Sequence, residues 1–130
     1  MPSEKKTSSS AKKSLILIVE DERPLAHALE LKLQHEGYDT VVAATGTEGL
    51  KEAQTGKYDL ILLDLILPEI DGFAILESLK GKKQKAAIIV LSNLGQDEDR
   101  QRAKDLGAKD YLIKSNSPLA DIIKLVKESI

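Results

Sequence analysis

The stretch LILLDLILPEIDG, Leu60 to Gly72, places a single acid, Asp64, where a continuous apolar run stops and a turn begins. Leu60, Ile61, Leu62 and Leu63 do not alternate with polar residues, which is the pattern of a strand buried on both faces of a parallel sheet. Asp64 therefore falls at a carboxyl strand end, where open α/β sheets bind their ligands. Pro68 and the Asp71-Gly72 pair make the loop that follows short and stiff. Alone, an acid in this position reads as a cap for the next helix. Its chemistry depends on what the other strand ends bring beside it.

Working outward, LILIV, residues 15–19, is a second uninterrupted apolar strand, and it ends directly in Glu20, Asp21 and Glu22. Pro24 suits a first helical turn, and Leu25, Ala28, Leu29 and Leu33 recur at helical spacing up to Gly37. Residues 41–44 read as a short strand, with Thr47 as the cap of a helix running through Leu50 and Ala53 to Gly56. Beyond the central stretch, Asp71 is placed to cap a helix carrying Phe73, Leu76 and Leu79, closed by Gly81. AAIIVL, residues 86–91, is a fourth strand, ending in Ser92 and Asn93. The helix expected over 96–106 has only Ala103 and Leu106 as apolar positions, so little area anchors it and it is expected to be the most mobile helix. Residues 111–113 form a fifth strand ending in Lys114. Ser117 as a cap followed by Pro118 starts a last helix, with Leu119, Ile122, Ile123, Val126 and Ile130 as its core stripe. Five strands alternating with five helices predict an α/β fold, a doubly wound parallel sheet with helices on both faces.

A length of 130 residues accommodates one domain, with 42% hydrophobic and 31% charged residues typical of a globular protein. The absence of cysteine excludes disulfides, thiolate nucleophiles and cysteine zinc sites together. The longest apolar run, 86–91, falls far short of the roughly 20 residues that cross a bilayer, and no signal segment is evident, so a cytoplasmic location is expected with no membrane insertion. A net charge of −2 gives no electrostatic reason to expect direct nucleic-acid binding. Residues 1–13 carry Lys5, Lys6, Lys12 and Lys13 against Glu4 and almost no apolar side chain, and read as a disordered basic tail ahead of a domain over 14–130.

In a parallel sheet all carboxyl strand ends share one edge. That edge would gather Glu20, Asp21, Asp64, Ser92 and Lys114. Three carboxylates against one ammonium leave a net negative pocket, and close carboxylates repel unless a cation joins them. Hard oxygen donors without His or Cys point to Mg²⁺. A divalent ion, a lysine and a hydroxyl around one carboxylate are what phosphoryl transfer onto an acid requires. Asp64, standing alone between the acid pair and the lysine, is the best nucleophile, giving an aspartyl phosphate.

ILIVEDE, LLDLILPEIDG, IIVLSN and DYLIK, in this order and spacing, resemble the receiver domain of bacterial two-component response regulators, over residues 14–130. The resemblance is to a single-domain, chemotaxis-regulator-like receiver. It implies a flavodoxin-like strand order of 2-1-3-4-5 and phosphorylation of Asp64 by a histidine kinase or histidine phosphotransfer protein. It implies that Glu20 and Asp21 hold Mg²⁺ with Asp64, Asp21 being the direct ligand, and that the Ile66 backbone carbonyl completes the protein ligands. Ser92 would bond the phosphoryl oxygen on activation and Lys114 would pair with another. Tyr111 would turn inward as Ser92 moves, altering a partner surface over 96–130 in a monomer or a phosphorylation-dependent dimer.

Three positions depart from the family pattern, the mildest being Glu20 where Asp is more common. The family commonly carries a proline, in a cis bond, where Ser115 follows Lys114 here; a non-proline cis bond costs about 2.5–4 kcal/mol, so this loop is expected to be either strained or trans and differently shaped. Asn93 stands where a small residue is usual, at the pocket mouth, and its bulk is expected to alter water access and the phosphoryl lifetime.

Two other chemistries fit these residues less well. An aspartate-nucleophile phosphatase would normally need a second acid two residues after the nucleophile, where Ile66 stands, and a nucleotide-binding protein would want glycines where EDERP follows the first strand. The chain is therefore expected to be a phosphoacceptor that assists its own phosphorylation and dephosphorylation, not an enzyme acting on other molecules. The alternative is a receiver-like interaction module that no longer switches by phosphorylation. His27 and His35 are helical, distant from the strand ends and expected to face solvent.

Overall fold

The computed structural model describes residues 13–82 and 84–130. In chain order it forms β1 (Leu15–Val19), α1 (Arg23–His35), β2 (Asp39–Ala43), α2 (Gly46–Ala53), β3 (Leu60–Leu63) and α3 (Gly72–Leu79). There follow β4 (Ala87–Ser92), α4 (Asp97–Asp105), β5 (Asp110–Ile113), a 3-10 turn (Lys114–Asn116) and α5 (Leu119–Ser129). All strand pairings are parallel and the order is 2-1-3-4-5, as expected.

The unbroken apolar runs follow from two cores sharing one sheet. Leu17, Val19, Ile61, Leu63 and Val90 face a cluster with Ala53 of α2, Phe73, Ile75 and Leu76 of α3, and Ala103 of α4. Ile16, Ile18, Leu60, Leu62 and Ile89 face the opposite cluster, with Leu29 and Leu33 of α1 and Ile122 and Val126 of α5. Full burial of each such aliphatic side chain contributes about 1.5–3 kcal/mol, so every position of the central strands favours an apolar residue. The polar exceptions come only where the strands end.

Helix α4 is the weakly attached one. Ala103 is its single buried residue. Its remaining attachments run through long surface side chains: the Arg102 guanidinium lies 4.1 Å from the Phe73 ring centre and 3.3 Å from Glu77 Oε1, and that of Arg100 lies 5.1 Å from the Tyr111 ring. Exposed ion pairs contribute at most about 1 kcal/mol each, so α4 can shift at low cost.

Two cap assignments are corrected. Thr45, not Thr47, caps α2: its Oγ1 accepts from the Glu48 N–H at 3.1 Å, while Glu48 Oε1 accepts from the Ala44 N–H at 3.3 Å. Thr-x-x-Glu is a reciprocal capping pattern, and its register starts two residues before Thr47. At α5 the cap position is Pro118, with no side-chain bond, and Ser117 lies one residue outside the cap. Asp71 does cap α3, accepting from the Ala74 N–H at 2.9 Å. His27 and His35 are exposed. The tail expected over 1–13 lies, Lys13 apart, outside the described residues.

Candidate functional site

The register of the central strands sets the site. Val19 pairs with Leu63, and the ladder extends one step further: the Asp64 N–H donates to the Val19 carbonyl and the Glu20 N–H to the Ala43 carbonyl, both at 3.0 Å. Glu20 and Asp64 therefore leave adjacent strands side by side. Both are buried, whereas Asp21 is exposed at the rim. Each of these three residues offers a carboxylate oxygen, and the three oxygens lie within 4.8 Å of one another.

Lys114 reaches into this cluster from the end of β5. Its Nζ donates to Asp64 Oδ2 at 2.7 Å and stands 2.8 Å from Glu20 Oε1 and 2.5 Å from Glu22 Oε2. Only 9% of the Lys114 side chain is exposed. Burial opposes its charge, but the hydrogen bonds it donates to Asp64, Glu20 and Glu22 outweigh that and push its pKa above the ordinary lysine value. It stays an ammonium throughout the physiological range. Glu22, named in the sequence only among the acids that end the first strand, joins the site as a third carboxylate on Lys114. An exposed acid three residues past a strand carries no signal of a partner 92 positions away.

Asp64 is also oriented locally, its Oδ1 accepting from the Ile66 N–H at 3.1 Å. The loop beyond is strapped down: the Pro68 carbonyl accepts from the Gly46 N–H at 3.0 Å and from the Ile70 N–H at 2.9 Å, with Glu69 at φ 74° between them. Asp21, Glu22, Asp64, Ile66, Asn93 and Lys114 line one cleft of about 190 Å³.

Ser92 stands apart from this cleft. It is fully buried, and its Oγ accepts from the Leu94 N–H at 3.4 Å. The Tyr111 hydroxyl donates to the Leu94 carbonyl at 2.5 Å. The two residues expected to switch thus meet on the same backbone unit, one holding its N–H and the other its C=O. Burial raises the Tyr111 pKa, helped by the Asp99 charge, so the hydroxyl remains a donor. Between Lys114 and Ser115 the bond is trans, since no peptide bond among the described residues is cis, and the chain there forms the 3-10 turn that the sequence reading did not foresee.

The cluster makes stability depend on pH. Burial pushes the Glu20 carboxyl above its ordinary value; hydrogen bonds from Lys114 and the Glu22 N–H pull it back, and the Asp64 charge adds to the push. A carboxyl raised in the folded state contributes stability only while protonated, so that contribution is present below the ordinary value of 4.5 and lost as pH rises through the raised one. Glu20→Gln leaves Lys114 two carboxylates and is expected to be more stable than wild type at pH 7 by about 1 kcal/mol. Thermal melts across pH 7 to 4.5 should show the margin closing; a variant less stable at every pH would contradict this account.

The family model for the response regulator receiver domain matches residues 16–127. This chain belongs to that family. ArlR, a response regulator of Staphylococcus saprophyticus, is 43% identical over 99 residues, covering 76% of this chain and 44% of that protein. The chain spans less than half the length of the curated relatives it matches. A CheY-like receiver domain protein from Methanospirillum hungatei superposes with a TM-score of 0.83 at 27% identity, covering 90% of this chain and 93% of that one. The response regulator protein TrrA of Thermotoga maritima, solved in complex with Mg²⁺-BeF, superposes with a TM-score of 0.76 at 32% identity, covering 90% of this chain and 99% of its own. The protein is thus a receiver domain of two-component signalling. Among the described residues, no helix is long and apolar enough to cross a membrane.

Proposed function

We propose that the unit over 14–130 is a phosphorylation-operated switch in which Asp64 accepts a phosphoryl group from a histidine kinase or histidine phosphotransfer protein. The observation that carries this reading is the buried Asp64 carboxylate held 2.7 Å from the Lys114 ammonium at a shared strand-end cleft. The Asp64 oxygen forms the new bond to phosphorus as the phosphorus–nitrogen bond of the donor phosphohistidine breaks. The imidazole keeps that electron pair and takes up a proton. Lys114 stabilises charge on the phosphoryl oxygens, and strand β3 with the Ile66 N–H holds the nucleophile so that little orientation is lost on reaction.

The donor set fits Mg²⁺. It consists of hard oxygens only, two buried and one at the rim, with net negative charge even after Lys114 is counted. Glu20, Asp21 and Asp64 would hold the ion, with the Ile66 carbonyl as a further ligand; when bound it would supply charge neutralisation at the transferring phosphoryl group. TrrA, whose structure contains Mg²⁺-BeF, supports the same reading for this chain.

The switch follows from the shared contact at Leu94. Drawing Ser92 Oγ toward a phosphoryl group on Asp64 would release the Leu94 N–H and disturb the carbonyl that Tyr111 holds. Helix α4 begins three residues later and is anchored by one buried alanine, so the surface over 96–130 repacks and its downstream partner responds. The proposed location is the cytoplasm.

Borohydride reduction tests the acceptor directly, because it converts an aspartyl phosphate into an alcohol at the modified residue. After treatment with Mg²⁺ and acetyl phosphate, peptide mapping is expected to find that change at Asp64 alone. Reduction at another acid, or at none, would remove Asp64 from the role. Amide spectra of 94–111 that do not change on phosphorylation would remove the switch while leaving the acceptor.

A further inference from the structure

Asn93 makes one long-range contact that the proposed chemistry does not use. It follows Ser92, the last residue of β4, and Ser92 pairs in register with Ile113, the last residue of β5. Past that rung the two chains diverge, because Lys114, Ser115 and Asn116 curl into the 3-10 turn. The Ser115 N–H can no longer meet a strand carbonyl, and the Asn93 side chain supplies the acceptor instead: Asn93 Oδ1 lies 3.0 Å from the Ser115 nitrogen. Ser115 is the neighbour of Lys114, whose flexible stem has four methylenes and whose ammonium must be placed among three carboxylates. A bond fixing the backbone one residue away limits where that stem can start.

We propose that Asn93 is a positioning residue for Lys114, acting through its side-chain carbonyl on the Ser115 N–H. This rests on the phosphoacceptor reading of Asp64 and extends it to the device that aims the lysine. It also gives Asn93 a different role from a bulky plug at the cleft mouth. A plug acts through volume, whereas a tether acts through an acceptor atom, and asparagine and leucine share nearly the same shape but only one has the acceptor.

The test compares wild type, Asn93→Leu, Asn93→Asp, Lys114→Ala and the Asn93→Leu/Lys114→Ala double variant. Hydrogen exchange at the Ser115 amide should quicken about tenfold in Asn93→Leu and stay slow in Asn93→Asp, which keeps the acceptor. With Mg²⁺ and acetyl phosphate, the rate of Asp64 phosphorylation should fall several-fold in Asn93→Leu. In the Lys114→Ala background the same substitution should have no further effect, because residues that act through one another are non-additive. Unchanged Ser115 exchange in Asn93→Leu overturns the tether. An equal loss of rate with and without Lys114 overturns the positioning role in favour of direct action at the cleft. If wild type forms no adduct, the phosphoacceptor reading fails, and with it the role in transfer, while Ser115 exchange still decides whether the tether exists.

Discussion

Gly46→Ala is expected to cost at least about 3 kcal/mol, lowering the melting temperature by about 10 °C. Gly46 opens α2 directly beneath the loop that follows Asp64. A Cβ there would stand 1.6 Å from the Ile70 carbonyl oxygen and 2.5 Å from its carbon. These are backbone atoms, so no rotamer change relieves the clash. The loop must retreat, and with it goes the hydrogen bond from the Gly46 N–H to the Pro68 carbonyl. That loop also carries Ile66, whose N–H orients Asp64, so phosphorylation should slow in whatever fraction remains folded. Thr47→Ala, one residue on and exposed, is the control expected to change stability by less than about 0.5 kcal/mol. Equal melting of Gly46→Ala and wild type would show that the helix and loop are not in the contact described here.

Lys114→Ala is expected to act in opposite directions on two properties of the cleft. Removing the ammonium leaves Glu20, Glu22 and Asp64 uncompensated, so Mg²⁺ should bind several-fold more tightly. Phosphorylation should nevertheless slow by about 10²–10³-fold, the usual loss when a preorganised charge facing the reacting oxygens is removed. Calorimetric titration with Mg²⁺ and the rate with acetyl phosphate separate the two. A tighter metal with an unchanged rate would mean that Lys114 only neutralises the resting cluster. Weaker metal binding would mean that it organises the carboxylates.

The fold was legible because its signal is coarse. Runs such as Leu60 to Leu63 and Leu15 to Val19 are apolar at every position, which only burial on both faces explains, and acids at their ends survive because strand ends reach solvent. Glu20, Asp21, Asp64 and Lys114 came together because a parallel sheet brings carboxyl ends to one edge whatever the details of register. Features that depend on single steps of register were harder. Thr45 and Thr47 both precede apolar helical positions, and only the Glu48 spacing separates them. Glu22 and the Asn93–Ser115 bond were invisible for another reason, since both join residues far apart in the chain through side chains whose surroundings no local pattern encodes. Ser92 was assigned to the pocket by its strand end, yet its hydroxyl turns to its own loop, because a fully buried hydroxyl takes the nearest backbone partner.

The account turns on whether Asp64 takes a phosphoryl group. Intact mass spectrometry after incubation with acetyl phosphate, with and without Mg²⁺, on wild type and Asp64→Asn, tests this most directly. The result expected is one phosphoryl mass on wild type, formed only with Mg²⁺ and lost in Asp64→Asn. An adduct of equal yield in Asp64→Asn, or no adduct on wild type, would contradict the account, and a wild type that also binds no Mg²⁺ would favour a receiver fold that works as a phosphorylation-independent interaction module.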